Sequence, residues 1–259
     1  MNLHSKRVVV TGGGSGVGKE LVKQLIAKGA YVSAIDINEE NLILLKKELN
    51  ESRLFIYQVD VTSDNDIKSF KENYYKDQPY IDVLINNAGI IQPFKDISEL
   101  EMNIIEKVMN VNFYGPLKLI KTFINELKER DEAYILNVSS MGGFFPFPGQ
   151  SAYGASKAAL SLLTEGLYSE LLDTNVKVSL VLPGAMATDI AKNSNIKVKE
   201  SNSSDIKMLS AKEAAAQIIK VIEKNKFKLY LGKDCKFMHI LYKINAKAAI
   251  KRINKLMKK

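Results

Sequence analysis

The sequence predicts an α/β protein built on a doubly wound, parallel sheet with helices on both faces. Three observations carry this. β-branched runs alternate with amphipathic helical runs from Arg7 onward, giving β-α-β-α-β by Val59. A glycine-rich turn, TGGGSGVG (Thr11 to Gly18), joins the first strand to the first helix. The alternation then continues to Leu231 without an internal repeat or a low-complexity linker.

Arg7–Thr11 (RVVVT) stops at glycines and reads as a buried strand. Val17, Leu21, Val22, Leu25 and Ile26 then mark one face of a helix that Gly29 stops. Tyr31–Asp36 (YVSAID) is the second strand, and Asn38 is placed to cap a helix running to Asn50. Arg53–Val59 (RLFIYQV) is the third strand, ending at Asp60. Ile81–Ile85 (IDVLI) is the fourth and runs into NNAG. Ser98 and Glu101 have the spacing of a capping box for helical segments over 100–127, with a bend at Gly115-Pro116. Ala133–Val138 is the fifth strand, ending in Ser139-Ser140. A helix over 151–172, a sixth strand over 176–182, a helix over 211–223 and a short strand over 228–231 follow. The polar, weakly patterned stretch 185–210 is long for a loop and reads as a lid. Residues 1–235 form a single domain, and 236–259 form a helical tail.

Composition narrows the function. The chain has 259 residues, 46% hydrophobic and 25% charged, enough for a sizeable core. Cys235 is the single cysteine, and with two histidines and no CxxC spacing neither a disulfide framework nor a metal site is expected. The start, MNLHSKRVVVTGGG, is not a secretory signal, and no apolar run approaches the roughly 18 residues of a membrane-spanning helix. A cytoplasmic setting is the expectation. The net charge of +8 is uneven, because 236–259 holds eight basic residues and no acid. Removing those eight from the total of 37 leaves 29 basic against 29 acidic residues in 1–235. A uniformly basic nucleic-acid-binding face is therefore not indicated for the body, and no nucleic acid partner is expected.

Tyr153 and Lys157 stand four residues apart at the start of the 151–172 helix, so a phenol and an ammonium project from one face. A neighbouring ammonium favours phenolate and lowers a tyrosine from its ordinary value of roughly 10. Tyr153 would then donate and accept a proton near neutral pH. Ser140 lies thirteen residues earlier, at a strand end, and alternation turns Ser139 to the other face. In the glycine turn, Gly12 permits the tight turn, and Gly16 and Gly18 permit close approach of backbone to phosphate and of helix to strand. Ser15 and Val17 border the helix N-terminus, whose free N–H groups would receive a pyrophosphate. The spacing Gly12-x3-Gly16-x-Gly18 is not G-x-G-x-x-G. Asp36 would accept from an adenosine ribose diol and repel a 2′-phosphate, and no arginine adjoins it or enters the turn. NAD is therefore favoured over NADP. Asp60 ends the third strand similarly and could meet the adenine amine.

TGGGSGVG, Asp60-Val61, NNAG (Asn86 to Gly89), Asn112 in NVN, Ser140, YGASK (Tyr153 to Lys157) and Pro183-Gly184 followed by Thr188 resemble the classical short-chain dehydrogenases/reductases over about residues 5 to 232. The resemblance implies a Rossmann-type sheet of about seven strands, in a homodimer or homotetramer. It implies Tyr153 as general acid/base on the substrate oxygen, with Lys157 on the nicotinamide ribose hydroxyls, lowering the Tyr153 pKa. Ser140 would position the substrate oxygen. Asn112, at a helix break, would hold a water linking Lys157 to solvent. Asn87, Ala88 and Gly89 would shape the cofactor floor with Val61, and Pro183, Gly184 and Thr188 would border the nicotinamide amide. The implied activity interconverts a small-molecule secondary alcohol and a ketone. The alternative is a non-catalytic NAD(H)-binding regulator or scaffold of the same fold.

Phe144, Phe145, Phe147 and Pro148 lie between Ser140 and Tyr153, and Met186 and Ile190 open the lid. Phe147, Met186 and Ile190 are the substrate candidates, and an apolar or lipid-like substrate is expected. The phenylalanines equally suit core or a subunit interface. In the tail, Phe237, Ile240, Leu241 and Ile244 form one helical stripe. Ala246, Ala249, Ile250, Ile253 and Leu256-Met257 form another, out of phase, so two helices or a bend near Asn245 is predicted. Lys247, Lys251, Arg252, Lys255, Lys258 and Lys259 oppose the second stripe. Segment 246–259 would contact an anionic membrane peripherally, or pack on the body or a neighbouring subunit.

Overall fold

The computed structural model describes residues 1–187, 194 and 208–257; Thr188, Ile190 and most of the predicted lid lie outside the described residues. The same holds for the side chains of Leu256 and Met257. The chain opens with β1 (Arg7–Thr11), α1 (Gly16–Ala27), β2 (Tyr31–Asp36), α2 (Glu39–Leu49), β3 (Leu54–Gln58), α3 (Asp64–Asp77) and β4 (Val83–Asn86). Next come α4 (Met102–Met109), α5 (Gly115–Lys128), β5 (Ala133–Val138), α6 (Ser151–Glu170) and β6 (Val176–Pro183). Two short strands, β7 (Met186–Ala187) and β8 (Leu209–Ser210), pair with each other. The chain continues through α7 (Ala211–Glu223), β9 (Lys228–Leu231), α8 (Lys233–Ile244) and α9 (Ala246–Met257).

Seven strands form one parallel sheet in the order β3-β2-β1-β4-β5-β6-β9. Side chains alternate across it. Val8, Val10, Val32, Ala34, Val83 and Ile85 meet α1, α2 and α7 through Leu21, Leu25, Leu42, Leu45, Ile218 and Ile222. Val9, Leu84, Ile135 and Val178 meet α3, α5 and α6 through Phe70, Tyr74, Phe123 and Leu167. Both faces are thus covered, which is why the strands read as continuous apolar runs. The order reverses between β1 and β4, and the crevice outside their carboxyl ends is the place where such sheets bind ligands.

Three local features depart from the sequence reading. The segment after Asp60 forms α3, capped by the Ser63 hydroxyl accepting from the Asp66 N–H at 3.2 Å; its polarity hid the few core residues Ile67, Phe70 and Tyr74. The Ser98–Glu101 capping box does not form. Ser98 lies in a 3-10 turn, Leu100 is buried in extended backbone, and the helix starts only at Met102. A capping box exists instead at α7, between Ser210 and Glu213. Finally, the bend predicted at Gly115-Pro116 is a π-helical turn just before it, Asn110–Tyr114. Pro116 has no N–H for the carbonyl of Asn112 one turn earlier, so the helix widens there.

Candidate active site

A cleft of about 470 Å³ opens at the β1/β4 reversal. Gly12, Ser15, Gly16 and Val17 line one end, where α1 starts. Gly12 holds φ +64°, a left-handed conformation that glycine adopts without strain. Gly18 does not line the cleft but sets its shape. A Cβ there would sit 1.9 Å from the Gly12 carbonyl oxygen, so helix and strand approach only because that atom is missing. Asp36 lines the cleft at the end of β2 and is fixed by two backbone N–H groups, Gly14 on Oδ2 and Asn38 on Oδ1, each at 3.0 Å. Asp60 and Val61 line it below β3. Asp60 Oδ1 already accepts from the Thr62 N–H at 2.8 Å and its hydroxyl at 2.7 Å.

The floor is Asn87, Ala88 and Gly89. The hydroxyl of Thr11 accepts from the Asn87 and Ala88 N–H groups at 2.9 and 2.8 Å, tying the end of β4 to the end of β1. A Cβ on Gly89 would lie 3.1 Å from Lys157 Nζ and 3.2 Å from Asn112 Oδ1, so both groups press on the floor from below. Asn112 is fully buried in the π turn. Its Oδ1 accepts from the Ile90 N–H at 2.9 Å, and its Nδ2 donates to the Ile90 carbonyl and the Ser156 hydroxyl at 2.9 and 3.0 Å. Its amide is therefore engaged by protein.

Ser140, Tyr153 and Lys157 line the other end of the cleft, with Pro183, Gly184 and Met186 beside them. The two serines part as alternation predicts. Ser139 Oγ turns inward to the Lys157 carbonyl and the Ser161 hydroxyl, both at 2.8 Å. Ser140 faces the cleft beside Tyr153, and its hydroxyl accepts from the Gly142 N–H at 3.0 Å. Lys157 is 3% exposed and donates to the Val138 carbonyl at 3.0 Å. Of the substrate candidates, Met186 lines the cleft, whereas Phe147 packs against Phe145, which in turn meets Tyr242 of α8.

One expectation is corrected. In the protein alone, Lys157 does not lower Tyr153. Burial pushes the Tyr153 phenol above its ordinary value, against a weaker pull toward phenolate from Ser140. The same burial draws Lys157 down to about 8. Desolvation disfavours the charged form of both groups, so each is held toward neutrality.

The family model described as short chain dehydrogenase matches residues 6–199. The chain belongs to the short-chain dehydrogenase/reductase family. A 3beta-hydroxysteroid dehydrogenase 2 of Eggerthella lenta is 34% identical over 195 residues, 73% of this chain and 74% of that one. A 3-oxoacyl-[acyl-carrier-protein] reductase of Thermotoga maritima is 33% identical over 223 residues, 85% of this chain and 90% of that one. A short chain dehydrogenase from Burkholderia cenocepacia, solved in complex with NADP, superposes with a TM-score of 0.82 at 26% identity, covering 98% of this chain and 99% of that one. The protein is an oxidoreductase of CH–OH groups that uses a nicotinamide dinucleotide, and the cleft suits that group: a glycine cradle at one end and an acid–base pair at the other.

Two residues of this short-chain dehydrogenase escaped the sequence reading. Gln92 is wholly buried. Its Oε1 accepts from the Tyr153 N–H at 2.8 Å, its Nε2 donates to the Gly149 carbonyl at 2.9 Å, and its carbonyl accepts from the Gln150 amide at 2.9 Å. Tyr153 N–H is one of the orphan donors of the first turn of α6, and the N-cap residue Gln150 makes no side-chain cap. Gln92 supplies that cap from another segment, 61 residues away. Asp234, at the start of α8, accepts from the Ala185 N–H at 2.7 Å and fills the space above Gly184. No local pattern marks either residue.

Proposed function

We propose that the protein interconverts a secondary alcohol and a ketone, with NAD favoured over NADP and with Tyr153 as the general acid/base. The observation that carries the reading is the convergence of Ser140, Tyr153 and Lys157 on one end of a cleft whose other end is a glycine turn at a helix N-terminus. When bound, the nicotinamide supplies or accepts the hydride. Tyr153 gives its proton to the carbonyl oxygen in reduction and takes it back in oxidation. Ser140 holds that oxygen by a hydrogen bond. Lys157, buried beneath Gly89, holds the nicotinamide ribose and, when charged, stabilises the phenolate. Because the Asn112 amide is engaged with Ile90 and Ser156, its main-chain carbonyl, which Pro116 cannot reach, is the group for a water that carries the proton onward from Lys157. Val61 and Ala88 wall the adenine half, with Asp60 beside them. Pro183 and Gly184 border the nicotinamide.

Asp36, set by Gly14 and Asn38, accepts from a ribose diol and repels a 2′-phosphate. The substrate is apolar or lipid-like, as the steroid-acting relative and the aromatic loop 144–147 suggest; Met186 faces it from the cleft wall. A single domain, 1–235, does the chemistry as a homodimer or homotetramer in the cytoplasm, and 236–259 packs on it through His239 and Tyr242 of α8. The test is Tyr153→Phe. Turnover should fall by about 10²–10⁴-fold while NADH affinity stays within about twofold. Retained turnover would exclude Tyr153 as the proton carrier.

A further inference from the structure

The C-terminal helices divide their faces in a way the body does not use. On α8, Cys235, His239 and Tyr242 point inward. Cys235 is buried against Leu180 and Leu182, His239 stacks on Tyr230 at 3.9 Å and meets Phe144 at 5.3 Å, and Tyr242 meets Phe145 at 5.4 Å. The opposite stripe, Phe237, Ile240 and Ile244, stands 56%, 59% and 78% exposed. These three follow i, i+3, i+7 and so form one continuous apolar line. On α9, Ala249 is buried, so part of its apolar stripe is already spent on the protein, while Ile250 remains open.

The charge on this surface is of one sign. Lys236, Lys243, Lys247, Lys251, Arg252 and Lys255 are all exposed, and no acid occurs after Asp234. The body treats its lysines differently: Lys19, Lys28 and Lys228 each sit on a glutamate at 2.6–2.8 Å. An exposed apolar line flanked by cations that have no ion pair among the described residues is complementary to a surface that offers hydrocarbon beneath negative charge. A second copy of the same face would bring like charges together, which opposes self-association.

We infer that α8 and α9 together dock the protein on an anionic lipid bilayer, with Phe237, Ile240 and Ile244 entering the interface and the basic residues on the headgroups. The inserting line lies on α8, not on the 246–259 segment that the sequence singles out. Because the inner face of α8 packs on Phe144 and Phe145, docking sets the loop that leads to Tyr153 beside the lipid. That consequence rests on the alcohol–ketone reading; the docking itself does not.

The test uses the full chain and vesicles of phosphatidylcholine with or without about one third phosphatidylglycerol. The sequence has no tryptophan, so Phe237→Trp makes a sole indole reporter. Its emission should shift to the blue with anionic vesicles and stay unchanged with phosphatidylcholine alone. Vesicle affinity should fall about tenfold or more in the triple variant Phe237→Ser, Ile240→Ser, Ile244→Ser, and likewise when Lys247, Lys251, Arg252 and Lys255 become Gln. The triple variant changes only exposed side chains, and an unchanged melting temperature verifies its fold. Tyr153→Phe should bind vesicles like the parent whatever its turnover, which separates failure of docking from failure of the catalytic reading. Absence of vesicle binding, or equal binding by the triple variant, would overturn the inference. So would a drop in oligomer mass in the triple variant without vesicle binding by the parent, which would make the partner a second copy.

Discussion

Below the carboxyl ends of β1 and β2 the cleft is made of main chain; below β4 and β5 it is made of buried side chains. On the first side the decisive atoms are absent ones, such as the Cβ that Gly18 lacks, and the one anchored acid, Asp36, is held by backbone N–H groups. On the second side Asn86 donates to Asn137 at 2.8 Å and Asn137 to Thr164 at 2.9 Å, Asn112 grips Ile90, Ser139 grips Ser161, and Gln92 caps Tyr153. A nucleotide's phosphates need close backbone and a helix dipole, which any residue with a Cβ would obstruct. Proton chemistry needs titratable groups held still in a dry site, which takes a buried polar network; in this one Asn86 Oδ1 is left without a hydrogen-bond partner among the described residues.

The largest effect is expected on the main-chain side. Gly18→Ala pushes Gly12 out of place. NADH affinity should fall about a hundredfold, and stability by roughly 1–3 kcal/mol, read by calorimetric titration and thermal melting. An affinity within twofold of the parent would mean that the cradle is not made by close approach.

On the side-chain side, Gln92→Leu removes the cap on Tyr153 without touching the cofactor wall. We expect kcat to fall about tenfold, with NADH affinity unchanged and the pH profile of turnover displaced, because the phenol loses its set position. Gln92→Glu keeps the acceptor for the Tyr153 N–H and should recover part of the loss. Equal losses in both variants, with an unmoved pH profile, would reduce Gln92 to a packing residue.

The smallest effect concerns stability. Lys157 is drawn down to about 8 from an ordinary value near 10.5, so between those pH values the unfolded chain binds more protons than the native one, and stability rises with pH through that window. Below pH 8 the full cost of burying the ammonium is present, offset in part by its hydrogen bond to Val138. Lys157→Met should therefore abolish turnover yet raise stability at pH 7 by about 1 kcal/mol, and the gain should shrink as pH approaches 10. Destabilisation at pH 7 would show that the hydrogen bond outweighs the desolvation.

This contrast explains what was legible in the sequence. The glycine turn, Asp36 and the strand runs are local signals, and their alternation marks a doubly wound parallel sheet; the strand order is seen only in the fold. Ser140 was separable from Ser139 because strand alternation is also local. Gln92 and Asp234 were not legible, since each acts on a backbone N–H brought near only by folding: Tyr153 is 61 residues from Gln92, and Ala185 is 49 from Asp234. Helix α3 was missed because its exposed face is so polar, and the Ser98 capping signal was overruled by the burial of Leu100. The Tyr153–Lys157 spacing correctly put both groups on one face, but spacing says nothing of desolvation, which reversed the expected direction of the tyrosine shift.

The π turn at Asn110–Tyr114 also carries a consequence for chain length. A wide turn is one residue more than an ordinary helix would use over the same rise, and each residue advances a helix by about 100°. Deleting one residue there would still leave a helical connection from α4 to α5, with Pro116 now breaking one bond of an α-helical ladder. It would also rotate Asn112 away from Ile90 and Ser156, and the contact between Gly115 and Val61 would lose its alignment. For anyone grafting or shortening this scaffold, helical length between Met102 and Lys128 is thus a count to be conserved, although no single side chain in the turn looks exceptional.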